Sequence, residues 1–241
     1  ITEKNTAPLY SLAQHMGIKI ILHDSDIGGR FSIFSHTGLI PILLFTNSID
    51  ELFAGLNKSI ENFLNNNYEN NSVSPIILAN KKYELIKSGK NICIMLFYGD
   101  ELVELGNWLK QLFAESLGKD QFGYLPVVSR MTQDQHSLLQ LYLDGPKDKF
   151  FEIYFADNKE NNNFIDITLS NHKEAMIKTL QSEELPIINT NSFTMGNTRE
   201  IFSQLGYIFS NSILEVLMIA ELAAVDPFSQ NAVEKQKNFL K

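Results

Sequence analysis

Three short stretches carry the residue types that acid–base chemistry on a small anionic ligand requires. The first is Gly28-Gly-Arg-Phe-Ser32. Paired glycines let a backbone approach a ligand closely or take a positive φ. Arg30, directly behind them, has the fork of donors that pairs with a phosphate or oxyanion; a surface arginine at a helix start fits the same residues. The second is Gln111-Leu-Phe-Ala-Glu-Ser-Leu-Gly-Lys-Asp120, an amphipathic helix end closed by Gly118. Glu115 lies in its last turn, a positioned carboxylate of the kind that serves as general base; a solvated helix terminus fits as well. The third is Thr132-Gln-Asp-Gln-His-Ser137, with His136 near a helix start and Asp134 a candidate cap. A lone histidine there suits a structural role too. Proton transfer next to a carbonyl needs a carboxylate and a cation near the oxygen where charge develops. Glu115 and Arg30 are those types. The five histidines form no HxH or HxxxH spacing and Cys93 is the only cysteine, so no metal site is expected and no intramolecular disulfide is available.

The whole chain sets limits on that chemistry. It has 241 residues, enough for one large domain or two small ones. At 44% hydrophobic and 20% charged it has an ordinary globular composition. Lys plus Arg is 20 and Asp plus Glu is 28, a net charge of −8, which argues against a general nucleic-acid binder but leaves room for an anion held by local cations. The apolar run from Gly38 to Phe45 is short of the roughly 20 residues a spanning helix takes. The run from Ile213 to Val225 contains Glu215 and Glu221 and reads as a buried helix with two polar exits. The first residues lack the basic start and apolar stretch of a secretory leader, so a cytoplasmic location is expected.

Periodicity places the three stretches on elements. Helices are expected at 6–16, in pieces over 31–45, at 48–64 with Ser48 and Glu51 as a capping box, and at 74–88, 101–116, 133–143, 198–224 and 231–240. Strands are expected at 19–22, 92–98, 125–128, 149–155 and 164–169. The continuous apolar run Ile92-Cys-Ile-Met-Leu-Phe-Tyr98 has the composition of a strand buried on both faces of a parallel sheet. Residues 65–71 and 161–163 are Asn-rich loops. Strands alternating with helices favour an α/β fold, a three-layer αβα sandwich with a largely parallel sheet over residues 1–190, followed by a helical tail over 191–241.

Four segments together resemble one family. GGRFS, AESLGKDxxGxLPV, DQHSxLQLYLDGP and the terminal Asp226-Pro-Phe-Ser-Gln-Asn-Ala-Val-Glu-Lys-Gln-Lys237 are similar, in order, to motifs of the glucose-6-phosphate isomerase (phosphoglucose isomerase) family. The resemblance implies two sugar-isomerase (SIS) α/β sandwich domains, of which this chain looks like the second plus the C-terminal helices; nothing here matches the first domain's phosphate-binding loop. It implies interconversion of glucose 6-phosphate and fructose 6-phosphate, by ring opening and a cis-enediol intermediate, with neither metal nor organic cofactor. By resemblance Glu115 is the base, and His136 assists ring opening from across a homodimer interface. Lys237, selected over Lys235 by a count of seven from Gln230, contacts the ring-oxygen region. Arg30 stabilises the enediolate, and Gly29, Gln111 and Gln230 line the sugar-phosphate pocket. The sequence has Gln236 where the family often has Gly, and Ser229 where it often has Asp. A non-catalytic sugar-phosphate-binding module or a truncated remnant is the alternative reading. Nucleic acid and membrane are not expected partners.

Overall fold

The computed structural model describes residues 1–4, 8–68, 73–158 and 163–238; the side chains of Glu234 and of residues 236–238 lie outside that description. Four strands, β1 (Ile92–Tyr98), β2 (Leu125–Met131), β3 (Lys149–Asp157) and β4 (Ile187–Thr194), form one all-parallel sheet in the order β2-β1-β3-β4. Parallel neighbours need crossover connections. Helix α5 (Val103–Leu117) joins β1 to β2, α6 (Gln133–Ser137) and α7 (Leu139–Asp144) join β2 to β3, and α8 (Phe164–Ser182) joins β3 to β4. Before the sheet come α1 (Pro8–His15), a 3-10 helix (Gly29–Phe34), α2 (His36–Thr46), α3 (Asp50–Asn65) and α4 (Pro75–Lys87); after it come α9 (Thr198–Ala223) and α10 (Asn231–Asn238).

The sheet divides the core in two. Cys93, Met95 and Phe97 of β1 join Phe150 and Tyr154 of β3 on the face covered by α4, α5 and α9. Ile94, Leu96 and Tyr98 join Phe151, Ile153 and Phe155 on the face covered by α7 and α8. Both faces of β1 are therefore dry, which is why its sequence shows no alternation. The expected three-layer sandwich is present.

Helix α9 is central to its layer. It lies so close to α3 that a Cβ on Gly55 would stand 1.9 Å from the Ser203 carbonyl oxygen, and one on Gly206 would stand 2.0 Å from that of Leu52. Those two glycines let the helix backbones touch. At 26 residues α9 is long and apolar enough to cross a membrane, but here it packs in the core.

Several local expectations change. Residues 19–22 form no strand of the sheet; Leu22 makes only an isolated bridge to Thr2, because no neighbouring strand lies alongside. Residues 164–169 are helix, the start of α8. The Asn163 side chain accepts the Asp166 N–H at 3.0 Å, and that cap outweighs the β-branched Ile165 and Ile167. Residues 187–194 are strand, so the stretch after 190 is not wholly helical and β4 crosses the expected domain boundary. Helix α3 begins at Asp50, with the Ser48 hydroxyl accepting the Asp50 N–H in place of the capping box. Residues 6, 7, 69–71, 161, 162 and 239–240 of the expected helices and loops lie outside the described residues.

Glu215 is not a polar exit. It is buried, and its carboxylate stands 2.6 Å from Lys82 Nζ of α4, which also pairs with Glu152 of β3 at 2.8 Å. Lys82 lies over the Phe113 ring, and the Tyr154 hydroxyl donates to Glu152 at 3.2 Å. Burial alone would push the Lys82 ammonium down, but Glu152 and Glu215 outweigh it and hold it well above its usual range. One cation between two carboxylates leaves a net −1, and burial pushes Glu215 from 4.5 up to about 7. The apolar surfaces left open are elsewhere: no residue of α2 is buried, and Leu44 and Phe45 are 80% and 84% exposed.

A raised carboxyl fixes the sign of a pH effect. Below about pH 4.5 Glu215 is protonated folded or unfolded; between there and pH 7 only the folded protein holds the proton. Stability is therefore greatest on the acid side of this window and falls as the pH rises through about 7, by roughly 2–3 kcal/mol. Urea midpoints at pH 5 and pH 8 should show that loss, and Glu215→Gln should flatten it. An equal pH slope in the variant would contradict the assignment.

Candidate active site

Arg30 assembles the site. Gly28 precedes the 3-10 turn Gly29–Phe34, and neither Gly28 nor Gly29 takes a positive φ. A Cβ on Gly29 would meet nothing within 4 Å, so that glycine faces open space, as close approach by a ligand requires. The turn directs Arg30 inward, where it is 0% exposed. Six contacts meet its five N–H groups. Nε donates to Ser116 Oγ at 3.0 Å, and Nη1 donates to Glu115 Oε2 at 3.2 Å and Gln230 Oε1 at 2.9 Å. Nη2 donates to the carbonyls of Pro227, Phe228 and Ser229 at 2.6, 2.9 and 3.2 Å. One side chain thus ties the glycine turn, the end of α5 and the segment leading to α10.

Glu115 is held at both oxygens. Arg30 takes Oε2, and Gln111 Nε2, one helical turn earlier, donates to Oε1 at 3.2 Å. The Glu115 side chain keeps 29% of its surface exposed, so an oriented carboxylate remains open to solvent beside a buried cation. Lys119 closes the helix: its ammonium donates to the Glu115 and Ser116 carbonyls, both at 2.7 Å. A cation there satisfies orphan carbonyls and opposes the negative helix end. Partial burial, and then the nearby Arg30 charge, push the Lys119 ammonium below its usual range. In the tail, Asp226 Oδ1 accepts the Phe228 N–H at 2.9 Å, which holds Asp226 below the usual carboxylate range. The Phe228 ring lies 5.4 Å from that of Phe31.

Arg30, Glu115, Gln111 and Gln230 are therefore brought together, with Gly29 at the open side. His136 is not. It is exposed in α6, directly after the carboxyl end of β2, whereas Glu115 is at the end of α5, which returns to the amino end of the sheet. The seven residues of β2 span about 20 Å between those ends. Asp134 does not cap α6; its Oδ2 accepts from the Arg130 N–H and the Ser129 hydroxyl and ties α6 back to β2. Lys237 is in α10, and its side chain lies outside the described residues. Lys235 is exposed on the same helix. Ser116, Lys119 and the 227–229 carbonyls were not singled out from the sequence. Ser116 and Lys119 flank Glu115 in AESLGK, but the carbonyls carry no side-chain signature at all. Among the described residues no group of His, Cys, Asp and Glu has metal-binding geometry.

The family profile described as phosphoglucose isomerase matches residues 10–185. The chain belongs to that family. It is 31% identical to a glucose-6-phosphate isomerase of Mycoplasma capricolum over 98% of this chain and 58% of the relative. It is 30% identical to one of Methanocaldococcus jannaschii with the same two coverages, and 30% identical to one of Rubrobacter xylanophilus over 88% and 52%. The chain thus spans between half and three fifths of the length of these relatives. Among solved structures it superposes on a hypothetical protein of Thermus thermophilus with a TM-score of 0.77 at 23% identity, over 99% of this chain and 61% of that one. For a glucose-6-phosphate isomerase of Chlamydia trachomatis the values are 0.67 and 16%, over 96% and 54%. These two likenesses concern the fold.

Arg30→Met should leave Ser116, Glu115, Gln230 and three carbonyls without the donor that Arg30 supplies and destabilise the protein by about 2–4 kcal/mol. Arg30→Lys should not rescue it, because an ammonium lacks the planar fork. Hydrogen exchange should show residues 226–230 released first. Unchanged protection there would mean that Arg30 does not hold the tail.

Proposed function

We propose that this chain carries the proton-transfer apparatus of an aldose–ketose isomerase acting on glucose 6-phosphate and fructose 6-phosphate. Family membership supports the reaction class. The observation that carries the reading is Glu115, fixed at both oxygens yet open to solvent. On the open-chain aldose, Glu115 takes the proton from C2; the electron pair forms the C1–C2 double bond and negative charge gathers on the C1 oxygen. That oxygen is protonated to give the cis-enediol. Loss of the C2 hydroxyl proton and return of Glu115's proton to C1 then give the ketose. No step calls for a cofactor.

Arg30 is assigned the role of holding Glu115. Its donors are already engaged, so direct contact with the enediolate oxygen requires Nη1 or Nη2 to leave a present partner. His136 with Lys237 is proposed to open the ring. Because His136 and Glu115 lie at opposite ends of one sheet, the proposal requires a homodimer in which each copy supplies His136 to the other. The polypeptide that relatives carry beyond the matched length is proposed to supply most phosphate contacts. Binding of that non-reacting phosphate helps to position the reacting carbons, so the 241-residue chain alone should turn over slowly. Glycolytic, cytoplasmic use follows from the same reading.

The full engagement of Arg30 favours a second reading, a sugar-phosphate-binding module that no longer turns over. Two measurements separate the readings. Proton exchange at C2 of fructose 6-phosphate-derived product should occur with the parent protein and vanish in Glu115→Gln, while 6-phosphogluconate binding persists. Exchange that survives Glu115→Gln would remove Glu115 as base. Binding with no exchange in the parent would favour the second reading.

A further inference from the structure

Helix α5 ends with every carbonyl of its last turn met, and Lys119 supplies most of the donors. The Gly118 N–H donates to the Ala114 carbonyl at 3.0 Å, and the Lys119 N–H donates to that of Leu117 at 2.8 Å. The Lys119 ammonium donates to the carbonyls of Glu115 and Ser116, both at 2.7 Å. The last four carbonyls of a helix have no partner within it, and here one residue closes three of them. Glu115 and Ser116 are also the two helix residues whose side chains meet Arg30, through Oε2 at 3.2 Å and Oγ at 3.0 Å. The guanidinium fixes this pair by its side chains, and the ammonium fixes the same pair by its backbone.

Capping alone does not call for an ammonium. Helices commonly end on a left-handed glycine that turns backbone N–H groups back onto the last carbonyls. Gly118 takes a φ of −71° instead. The chain reverses two residues later, where Asp120 and Gln121 have φ of +50° and +63°. Lys119 and Phe122 close that turn, exchanging N–H and C=O groups at 3.2 and 2.7 Å. A left-handed φ is disfavoured for a side chain such as that of Gln121, and positions of this kind collect where function fixes the backbone. Phe122 anchors the turn by packing on the core, its ring 5.9 Å from that of Tyr83. The ammonium is also held beside a like charge. Partial burial, and then the Arg30 guanidinium, push it below its usual range, with the carboxylates of Asp226, Glu115 and Asp120 opposing them. The fold accepts a strained turn and two crowded cations to keep Lys119 at this helix end.

We infer that Lys119 is a positioning residue for the base: its ammonium fixes the backbone of Glu115 and Ser116, so that the Glu115 carboxylate stays on Arg30 and Gln111 and meets the reacting carbon. This rests on the assignment of Glu115 as base in the proposed function. Lys119 itself touches no reacting atom. Without the ammonium the last turn of α5 loses two of its hydrogen bonds and frays. The carboxylate then spends less of its time in the reactive orientation, and small misplacements of a reacting group are costly in rate.

The test uses the 241-residue chain with Lys119→Met, Lys119→Arg and Glu115→Gln. Deuterium entry at C2 of glucose 6-phosphate in D2O, followed by proton NMR, gives a maximal exchange rate and the substrate concentration at half that rate. Lys119→Met should lower the maximal rate by about ten- to a hundredfold and leave the half-rate concentration within about twofold. Lys119→Arg keeps a cation with N–H donors and should recover most of the rate. Circular dichroism shows whether Lys119→Met is folded; if it is not, Lys119→Gln decides in its place, with the same loss expected. A second signal needs no turnover. The carbon-13 resonance of the Glu115 carboxyl, assigned by its loss in Glu115→Gln, should move in Lys119→Met and return in Lys119→Arg. A residue that only caps the helix would, on substitution, lower the melting temperature and leave the maximal rate and the carboxyl resonance unchanged; that result would overturn the inference. A folded Lys119→Arg protein as slow as Lys119→Met would overturn it as well. Exchange that survives Glu115→Gln, or is absent from the parent, would instead reject Glu115 as base, and the carboxyl resonance would still decide whether Lys119 orients it.

Discussion

A guanidinium with no exposed surface organises the candidate site. Arg30 comes from a turn before the sheet, Glu115 and Ser116 from the end of the first crossover helix, and Pro227 to Gln230 from beyond the last core helix. No two of these segments are sequence neighbours. A buried arginine is tolerable only when its donors are all met, so the fold must bring these acceptors to it. That requirement positions Glu115 as a consequence. The carboxylate is oriented by the same ion that closes the tail.

The sheet supplies the second constraint. Its strands are all parallel, so each crossover helix returns to the amino end. The end of α5 and the loop after β2 are then forced apart, and Glu115 and His136 with them. The buried Lys82–Glu152–Glu215 set ties α4, β3 and α9 across one core layer. Breaking such a set is costly, whereas its net contribution as an intact unit is small. Its effect is to make the core responsive to pH.

Much of this was legible in the residues. Ile92 to Tyr98 announced a doubly covered strand, and the alternation of elements gave the αβα layers. Glu115, Arg30, Gln111 and Gln230 were singled out and do meet. What failed was local. Phe164 to Leu169 has strand-like residue types, but the Asn163 cap and the length of α8 decided for helix. Ile187 to Thr194 reads weakly as strand because its polar Asn189, Asn191 and Ser192 lie on an open edge. Glu215 looked like a solvent exit because its partner, Lys82, is 133 positions away in sequence (215 − 82). The carbonyls of 227–229 were invisible because backbone acceptors leave no mark on side-chain pattern.

If Glu115 is the base and His136 opens the ring, as proposed, one copy of this fold holds the two residues too far apart to share a substrate. Mixing two inactive proteins tests it most directly. Glu115→Gln and His136→Asn proteins are purified separately, combined under conditions that let subunits exchange, and assayed for isomerisation. Each should be inactive alone and activity should appear in the mixture, because a mixed dimer contains one site with both residues. A mixture that exchanges subunits and stays as inactive as its components would contradict it.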